Sequence, residues 1–275
     1  KSFIQMKILL NNNDLNEALN NVSKLGFVPT MGSFHKGHIS LIKRSKKDCN
    51  KTIVSIFINP NQFNNRKDFE KYPRNIKKDL STLRNLKVNF VYLPNKKHVY
   101  HSKRSSRIKL NKKDQILCAK FRKGHFEGVI DVMDRLTCLI KPAKIFMGEK
   151  DMQQFYLVKN YIEKRYKSKI IPCQTIRDKK RFALSSRNLL LSNKQIRKAR
   201  NLTNHIFNFK KKLKNQKNIF KLLQQKKNDL NKLFDVKVEY LELRNVKNLK
   251  ISSKTKNSKI FIAYFINKVR LIDNI

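Results

Sequence analysis

Leu25-Gly26-Phe27-Val28-Pro29-Thr30-Met31-Gly32-Ser33-Phe34-His35-Lys36-Gly37-His38-Ile39-Ser40-Leu41-Ile42 is the stretch that decides the fold. Residues 25–28 read as the end of a strand, and the apolar positions 39, 41 and 42 as the first turns of a helix. Pro29 to His38 hold two glycines and two histidines, in a chain with 6 of each among 275 residues. A strand, a glycine-containing turn and a helix opening on His-x-Gly-His make the geometry of a phosphate site. The helix N-terminus offers unpaired N–H groups and the positive end of its dipole. Small residues let a polyphosphate approach the backbone. Imidazoles three residues apart lie on one turn and can donate to it. On these residues alone, two surface histidines or half a metal site stay open as alternatives.

Outward from this stretch, strand and helix patterns alternate. Residues 53–58 are a β-branched run ending at Asn59-Pro60, as expected of a buried strand. Residues 68–86 read as helical, with a new segment opening at Tyr72-Pro73-Arg74. Residues 88–93 read as a strand stopped by Pro94, and 95–117 as a charged loop with short strands. A helix over 128–140, a strand over 143–147, a helix over 153–165 and a strand from Lys169 complete the alternation. The pattern predicts an α/β fold with a parallel sheet and crossover helices. Beyond Arg187 the character changes. Residues 193–234 are helical, very basic and without Gly or Pro, and strands follow at 236–243 and 259–265. The chain is therefore expected to divide into an α/β domain over 1–175 and a smaller α+β domain over 176–275.

Composition bounds the function. A net charge of +45 attracts anionic substrates and makes binding salt-sensitive. It does not by itself imply a specific nucleic-acid partner. Abundant Lys, Asn and Ile without any Trp is the profile of AT-rich codons, and the lysine runs near 210 and 226 fit solvated helix faces. Cys49, Cys118, Cys138 and Cys173 are scattered with no Cys-x-x-Cys pair, which argues against a zinc ribbon or disulfide framework and for a reduced, cytoplasmic protein. The apolar run near the N-terminus is too short and too polar for a membrane span.

Further constellations fall where open α/β sheets bind ligands, beyond the carboxyl ends of strands. Asn59 and Gln62 follow the strand at 53–58, where a neutral amide can bond a hydroxyl or carboxylate; an Asx turn before Pro60 is the plain alternative. Gly148-Glu149-Lys150-Asp151, with Gln154 beyond, follows the strand at 143–147. Gly148 allows close backbone approach, Lys150 is a point charge suited to phosphate, and Asp151 could accept from ribose hydroxyls, or cap the helix. Leu184-Ser185-Ser186-Arg187 offers two hydroxyls and a guanidinium suited to a triphosphate. Arg122-Lys123-Gly124-His125 is another candidate anion site.

Taken in order, Pro-Thr-Met-Gly-x-x-His-x-Gly-His, Ser-Ile-Phe-x-Asn-Pro-x-Gln-Phe, Tyr-Pro-Arg, Gly-His-Phe-x-Gly-Val, Gly-Glu-Lys-Asp-x-Gln-Gln and Leu-Ser-Ser-Arg-Asn resemble the pantoate–β-alanine ligase (pantothenate synthetase) family over nearly the whole chain. The resemblance implies a Rossmann-like nucleotidyltransferase domain, a smaller C-terminal domain closing over the site, and a homodimer. It implies that pantoate and ATP form a pantoyl-adenylate and pyrophosphate, that β-alanine then displaces AMP to give pantothenate, and that Mg2+ accompanies the ATP. Carried over by position, Met31, Gly32, Ser33, Phe34, His35, Lys36, Gly37 and His38 form the ATP loop, His38 being the family's acid-type residue. Gly148, Glu149, Lys150 and Asp151 hold ribose and phosphates, Ile176 meets adenine through its backbone, and Leu184, Ser185, Ser186 and Arg187 cover the phosphates. Gln62, Gln154 and Asn59 serve pantoate and β-alanine. His38, His35, Lys150 and Arg187 are the residues expected to carry catalysis, and no protein metal site is expected.

The resemblance implies a proline where Lys123 stands, a glycine at Arg181 or Phe182, and a glycine near the end of the last strand, absent around Asn267. Rival readings are a nucleotidyltransferase acting on a phosphorylated cofactor precursor, an RNA-binding protein using the basic helices, and an enzyme that keeps the fold without the rate. Against the first, the amides Gln62 and Gln154 suit a small hydroxy-acid; a phosphorylated substrate would want more arginine.

Overall fold

A computed structural model describes residues 5–102, 108–214 and 216–275. The described residues form two compact units, those within 1–149 with 154–174, and those within 150–153 with 175–275. The first unit runs β1 (Lys7–Leu9), α1 (Asn12–Leu19), β2 (Leu25–Thr30), α2 (Lys36–Asp48), β3 (Lys51–Ile56), α3 (Arg66–Glu70), α4 (Ile76–Asn85), β4 (Phe90–Tyr92), α5 (Lys96–Val99), α6 (Leu117–Phe121), α7 (His125–Ile140), β5 (Lys144–Gly148), α8 (Met152–Arg165, from Gln154 on) and β6 (Lys169–Cys173). All neighbouring strands are parallel, in the order β1-β4-β3-β2-β5-β6.

Successive strand residues feed opposite faces of this sheet. Phe27, Ile53 and Ile145 pack with Val129, Val132 and Leu136 of α7 and Val158 and Ile162 of α8. Their neighbours Val28, Val54 and Phe146 pack with Leu41 and Ile42 of α2 and Leu83 of α4. Both faces are covered, so the strands read as continuous apolar runs rather than alternating ones. The strand order reverses between β2 and β5: β3 and β4 follow on one side of β2, and β6 lies beyond β5. The loops after β2, β3 and β5 leave the same edge of the sheet, and a reversal of this kind is where α/β sheets open a ligand crevice.

The structure refines the sequence reading in several places. β1 and α1 were not expected; Asn11, read only as part of a polar run, accepts from the Asn13 and Asp14 N–H groups and starts α1. The segment at 68–86 splits into α3 and α4 around Tyr72-Pro73-Arg74, because proline cannot continue a helix. Between 95 and 117 the described residues hold α5 and a short 3-10 turn instead of strands; 103–107 of the expected loop lie outside the described residues.

The second unit contains α9 (Asn193–Lys212), α10 (Ile219–Phe234) and an antiparallel sheet of β7 (Lys237–Asn245), β8 (Ser258–Ile266) and β9 (Val269–Asn274). Ala199, Leu202, Thr203 and Ile206 line the buried stripe of α9 at helical spacing. Leu202, Ile206 and Leu230 pack on Ile260, Ile262 and Tyr264 of the sheet. The basic segment forms two helices, parted before Asn218, which sits at φ +59. Asn267, also left-handed at φ +51, opens the two-residue turn between β8 and β9 without a glycine.

Candidate active site

The turn after β2 is built around two capping histidines. His35 is the N-cap of α2, and its Nδ1 accepts from the Gly37 N–H at 3.1 Å. His38 Nδ1 accepts in turn from the His35 N–H at 3.4 Å. A ring nitrogen that accepts carries no proton, so each neutral imidazole holds its proton on Nε2. The rings lie 4.2 Å apart, centre to centre. Gly37 has a steric reason: a Cβ there would stand 2.6 Å from His35 Cε1, because the imidazole folds over that backbone to make its cap. Gly32 has a conformational one, at φ +77. Ser33 follows at φ +56. The Ser33 and Phe34 N–H groups donate to the two oxygens of Asp79 on α4, at 2.8 and 3.0 Å. Lys36 points to solvent.

Beyond β3, a 3-10 turn at Pro60–Gln62 carries a half-buried Gln62, whose Nε2 donates to Met31 Sδ at 3.1 Å. Asn59 is only 1% exposed. Its amide nitrogen donates to the Gly128 carbonyl at 3.2 Å and to Gln62 Oε1 at 3.4 Å, and its oxygen accepts from the Tyr100 hydroxyl and the Asn61 N–H. Both ends of the Asn59 amide, expected to serve substrate, are thus bonded inside the protein, and it braces Gln62 from behind. Burial, reinforced by Asp131, pushes the Tyr100 phenol up to about 12. Gln62 is also held through its backbone. Its carbonyl bonds His125 Nδ1 at 2.6 Å, and His125 Nε2 bonds Arg122 at 2.8 Å. A guanidinium can only donate, so His125 accepts at Nε2 and donates from Nδ1. The Arg122–His125 pair, expected as an anion site, braces Gln62 through these bonds. Gly128 lets α7 lie against this turn, for a Cβ there would sit 2.3 Å from the Asn61 carbonyl oxygen.

β5 ends at Gly148. A Cβ built on it meets no atom within 4 Å, so open space lies beside it. Glu149 follows, and Gln154 sits half-buried in the first turn of α8.

In the second unit, Lys150 Nζ lies 3.3 Å from Asp151 Oδ1. Residues 176–184 form a tight hairpin in which Ile176 O accepts from Leu184 N–H and Asp178 O from Arg181 N–H. Arg181 fills the position expected to want glycine, at φ +67. Ser185 caps a 3-10 turn over Ser186–Leu190 that carries Ser186 and Arg187, and its hydroxyl donates to Asn188 Oδ1 at 2.8 Å. Two C-terminal residues, which sequence reasoning missed, organise these parts. Arg177 forms a two-pronged bond to Asp273 at 2.7 and 2.8 Å, and the Asn274 amide donates to the Lys150 carbonyl at 2.8 Å. The end of β9 thereby ties the Lys150 backbone and the 176–187 loop to one strand. No sequence signal short of an alignment marks Asp273 and Asn274, since both lie about 90 residues or more from what they hold.

Among the described residues no group of three or more His, Cys, Asp or Glu could hold a metal. The His35 and His38 imidazoles, Lys150, Ser185, Ser186 and Arg187 are donors and cations whose chemistry fits the phosphates of a nucleotide that would bring Mg2+ with it.

A parallel sheet that reverses its strand order beside a doubly capped helix start is the arrangement at which α/β folds bind ligands. The family model for pantoate–β-alanine ligase matches residues 7–275. The chain belongs to the pantoate–β-alanine ligase family. It is 37% identical to the pantothenate synthetase of Ruthia magnifica, over 98% of each chain, and 38% identical to that of Helicobacter acinonychis, over 98% of this chain and 99% of that one. The crystal structure of the Francisella tularensis pantoate–β-alanine ligase, complexed with β,γ-ATP and β-alanine, superposes with a TM-score of 0.85 at 36% identity, covering 98% of this chain and 97% of that one. The Thermus thermophilus pantothenate synthetase superposes at 0.89 with 26% identity, covering 98% and 99%.

Proposed function

We propose that the chain joins pantoate to β-alanine in two steps at this site. The pantoate carboxylate oxygen attacks the α-phosphorus of ATP, the bond to the bridging oxygen breaks, and pyrophosphate leaves. The β-alanine amine then attacks the acyl carbon of pantoyl-adenylate, loses a proton and expels AMP. Neither step needs a protein nucleophile, because the substrates supply both. The protein has to align the reactants and offset the charge that gathers on the leaving groups.

The observation that carries this reading is the pair of imidazoles at the start of α2, each with Nδ1 accepting a backbone N–H. Their protons sit on Nε2, which makes them fixed donors for phosphate oxygens. We accordingly give His38 electrostatic stabilisation rather than proton transfer: pyrophosphate bound to Mg2+ leaves without an acid. Mg2+ bound with ATP supplies further charge neutralisation on the phosphates. Lys150, Ser185, Ser186 and Arg187 add donors and positive charge. The space beside Gly148 suits the nucleotide, Asp151 the ribose hydroxyls, and the Ile176 backbone the adenine. Gln62, braced by Asn59 and His125, and Gln154 take pantoate as neutral amides, orienting its hydroxyl and carboxylate without pinning the nucleophile in an ion pair. We further take the enzyme to be a homodimer, which light scattering tests. We assign it to the cytoplasm, the reducing setting that four cysteines outside any disulfide suit; localisation of a tagged chain tests this.

The deciding experiment is chromatography of reactions with and without each substrate. AMP and pantothenate appear together only when ATP, Mg2+, pantoate and β-alanine are all present. ATP consumption indifferent to pantoate would overturn the substrate assignment.

A further inference from the structure

Asp79 belongs to none of the motifs that mark the site. It lies in the first turn of α4, 3% exposed. Its two carboxylate oxygens accept from two successive backbone amides of the phosphate loop, Ser33 N–H at 2.8 Å and Phe34 N–H at 3.0 Å. The loop needs such a hold, because Gly32 and Ser33 are both left-handed, at φ +77 and +56. Two such residues in succession, one with a side chain, persist only where surrounding structure imposes them. The fit is close: a Cβ on Gly32 would stand 2.7 Å from Asp79 Oδ2. The next residue after this turn is His35, the cap that sets both imidazoles.

We propose that Asp79 is a positioning residue for nucleotide binding: its carboxylate fixes the Gly32–Phe34 turn so that His35, His38 and the start of α2 meet the ATP phosphates. The proposal rests on the reading of this loop as the ATP site. It makes a counter-intuitive claim about sign. Simple electrostatics says that neutralising a carboxylate beside a phosphate loop should tighten binding of a polyanion. Anchoring says the opposite. In Asp79→Asn, one of the two loop amides faces an amide donor instead of an acceptor, and the turn loses a charge-assisted bond.

The test is MgATP affinity by calorimetry together with KM for ATP, pantoate and β-alanine, in wild type, Asp79→Asn, Gly32→Ala and His35→Ala. Asp79→Asn is expected to weaken MgATP binding about ten- to hundredfold, with KM for pantoate and β-alanine changed less than about twofold. Unchanged or tighter MgATP binding by folded Asp79→Asn overturns the proposal. So does a parallel rise of all three KM values that tracks lost stability, the mark of a merely structural role. If Asp79→Asn does not fold, Gly32→Ala disturbs the same contact from the loop side and is judged by the same criteria. If His35→Ala leaves MgATP affinity intact, it is the ATP-site reading itself that fails, and the proposal falls with it.

Discussion

Replacing Gly148 and Gly128 by alanine, one at a time, separates a glycine kept for ligand from a glycine kept for packing. At Gly128 the added Cβ would stand 2.3 Å from the Asn61 carbonyl oxygen, 2.8 Å from its carbon and 3.0 Å from Gln62 Cα. All three are backbone atoms, so no side chain can swing away. Ordinary contact begins near 3.4 Å, so the Pro60–Gln62 turn and α7 must part by about 1 Å. Overpacking of this kind costs about 1–3 kcal/mol, partly offset by alanine's helix propensity of about 1 kcal/mol. Displacing Gln62 by about 1 Å is the larger effect, since such misplacement can lower turnover about a hundredfold. At Gly148 the same Cβ meets nothing within 4 Å, and the residue is not left-handed. Stability should hold, or rise by about 0.4–1 kcal/mol through the unfolded chain. If the open space belongs to the nucleotide, a methyl there costs about 1–3 kcal/mol of ATP binding, which is about five- to 150-fold in affinity. Thermal melts and KM for ATP read both variants. Gly148→Ala with wild-type KM for ATP would refute the assignment of that space, and Gly128→Ala with unchanged kcat would refute the packing argument.

At His35, asparagine places an acceptor where Nδ1 sits, and glutamine reaches toward Nε2. His35→Asn should keep helix stability and lose kcat/KM about a hundredfold, while His35→Gln loses about 1 kcal/mol of capping but keeps more activity; an obligatory proton donor would be rescued by neither. Burial raises the Tyr92 and Tyr100 phenols from 10.0 to about 12. The unfolded chain therefore releases these protons first, and stability should fall as pH rises from about 10 to 12, checked by denaturant titration across that range. Arg181 pays for a left-handed backbone at φ +67, so Arg181→Gly should stabilise the protein by up to about 1 kcal/mol, measured by thermal unfolding.

Much of the first unit's organisation is legible in the sequence, because each of its signals is local. β2, β3, β5 and β6 are apolar runs bounded by turn residues, and α2 and α7 show their buried stripe in the spacing of Leu41, Ile42, Val129, Val132 and Leu136. β1 escaped notice: three residues gain their place only by pairing with β4, more than eighty positions away. The position of Gln62 beyond β3 was visible, but the atoms that hold it were not. Asn59, written beside Gln62 as though to share its task, is buried beneath it, and His125, written among anion-binding residues, bonds the Gln62 carbonyl instead. A one-dimensional pattern shows that a polar residue stands near a site; it does not show which way an amide or an imidazole faces.

The sequence by itself determined the class of fold, the family and the order in which candidate site residues leave the strands, because short-range periodicity, turn chemistry and motif spacing are written along the chain. Only the tertiary structure decided that Asp79 grips the turn before His35, that both capping histidines turn Nδ1 to the backbone, and that Asp273 and Asn274 secure the 176–187 loop and Lys150. Those are hydrogen bonds between groups brought together by packing. Their existence depends on distances and angles that no local sequence signal specifies.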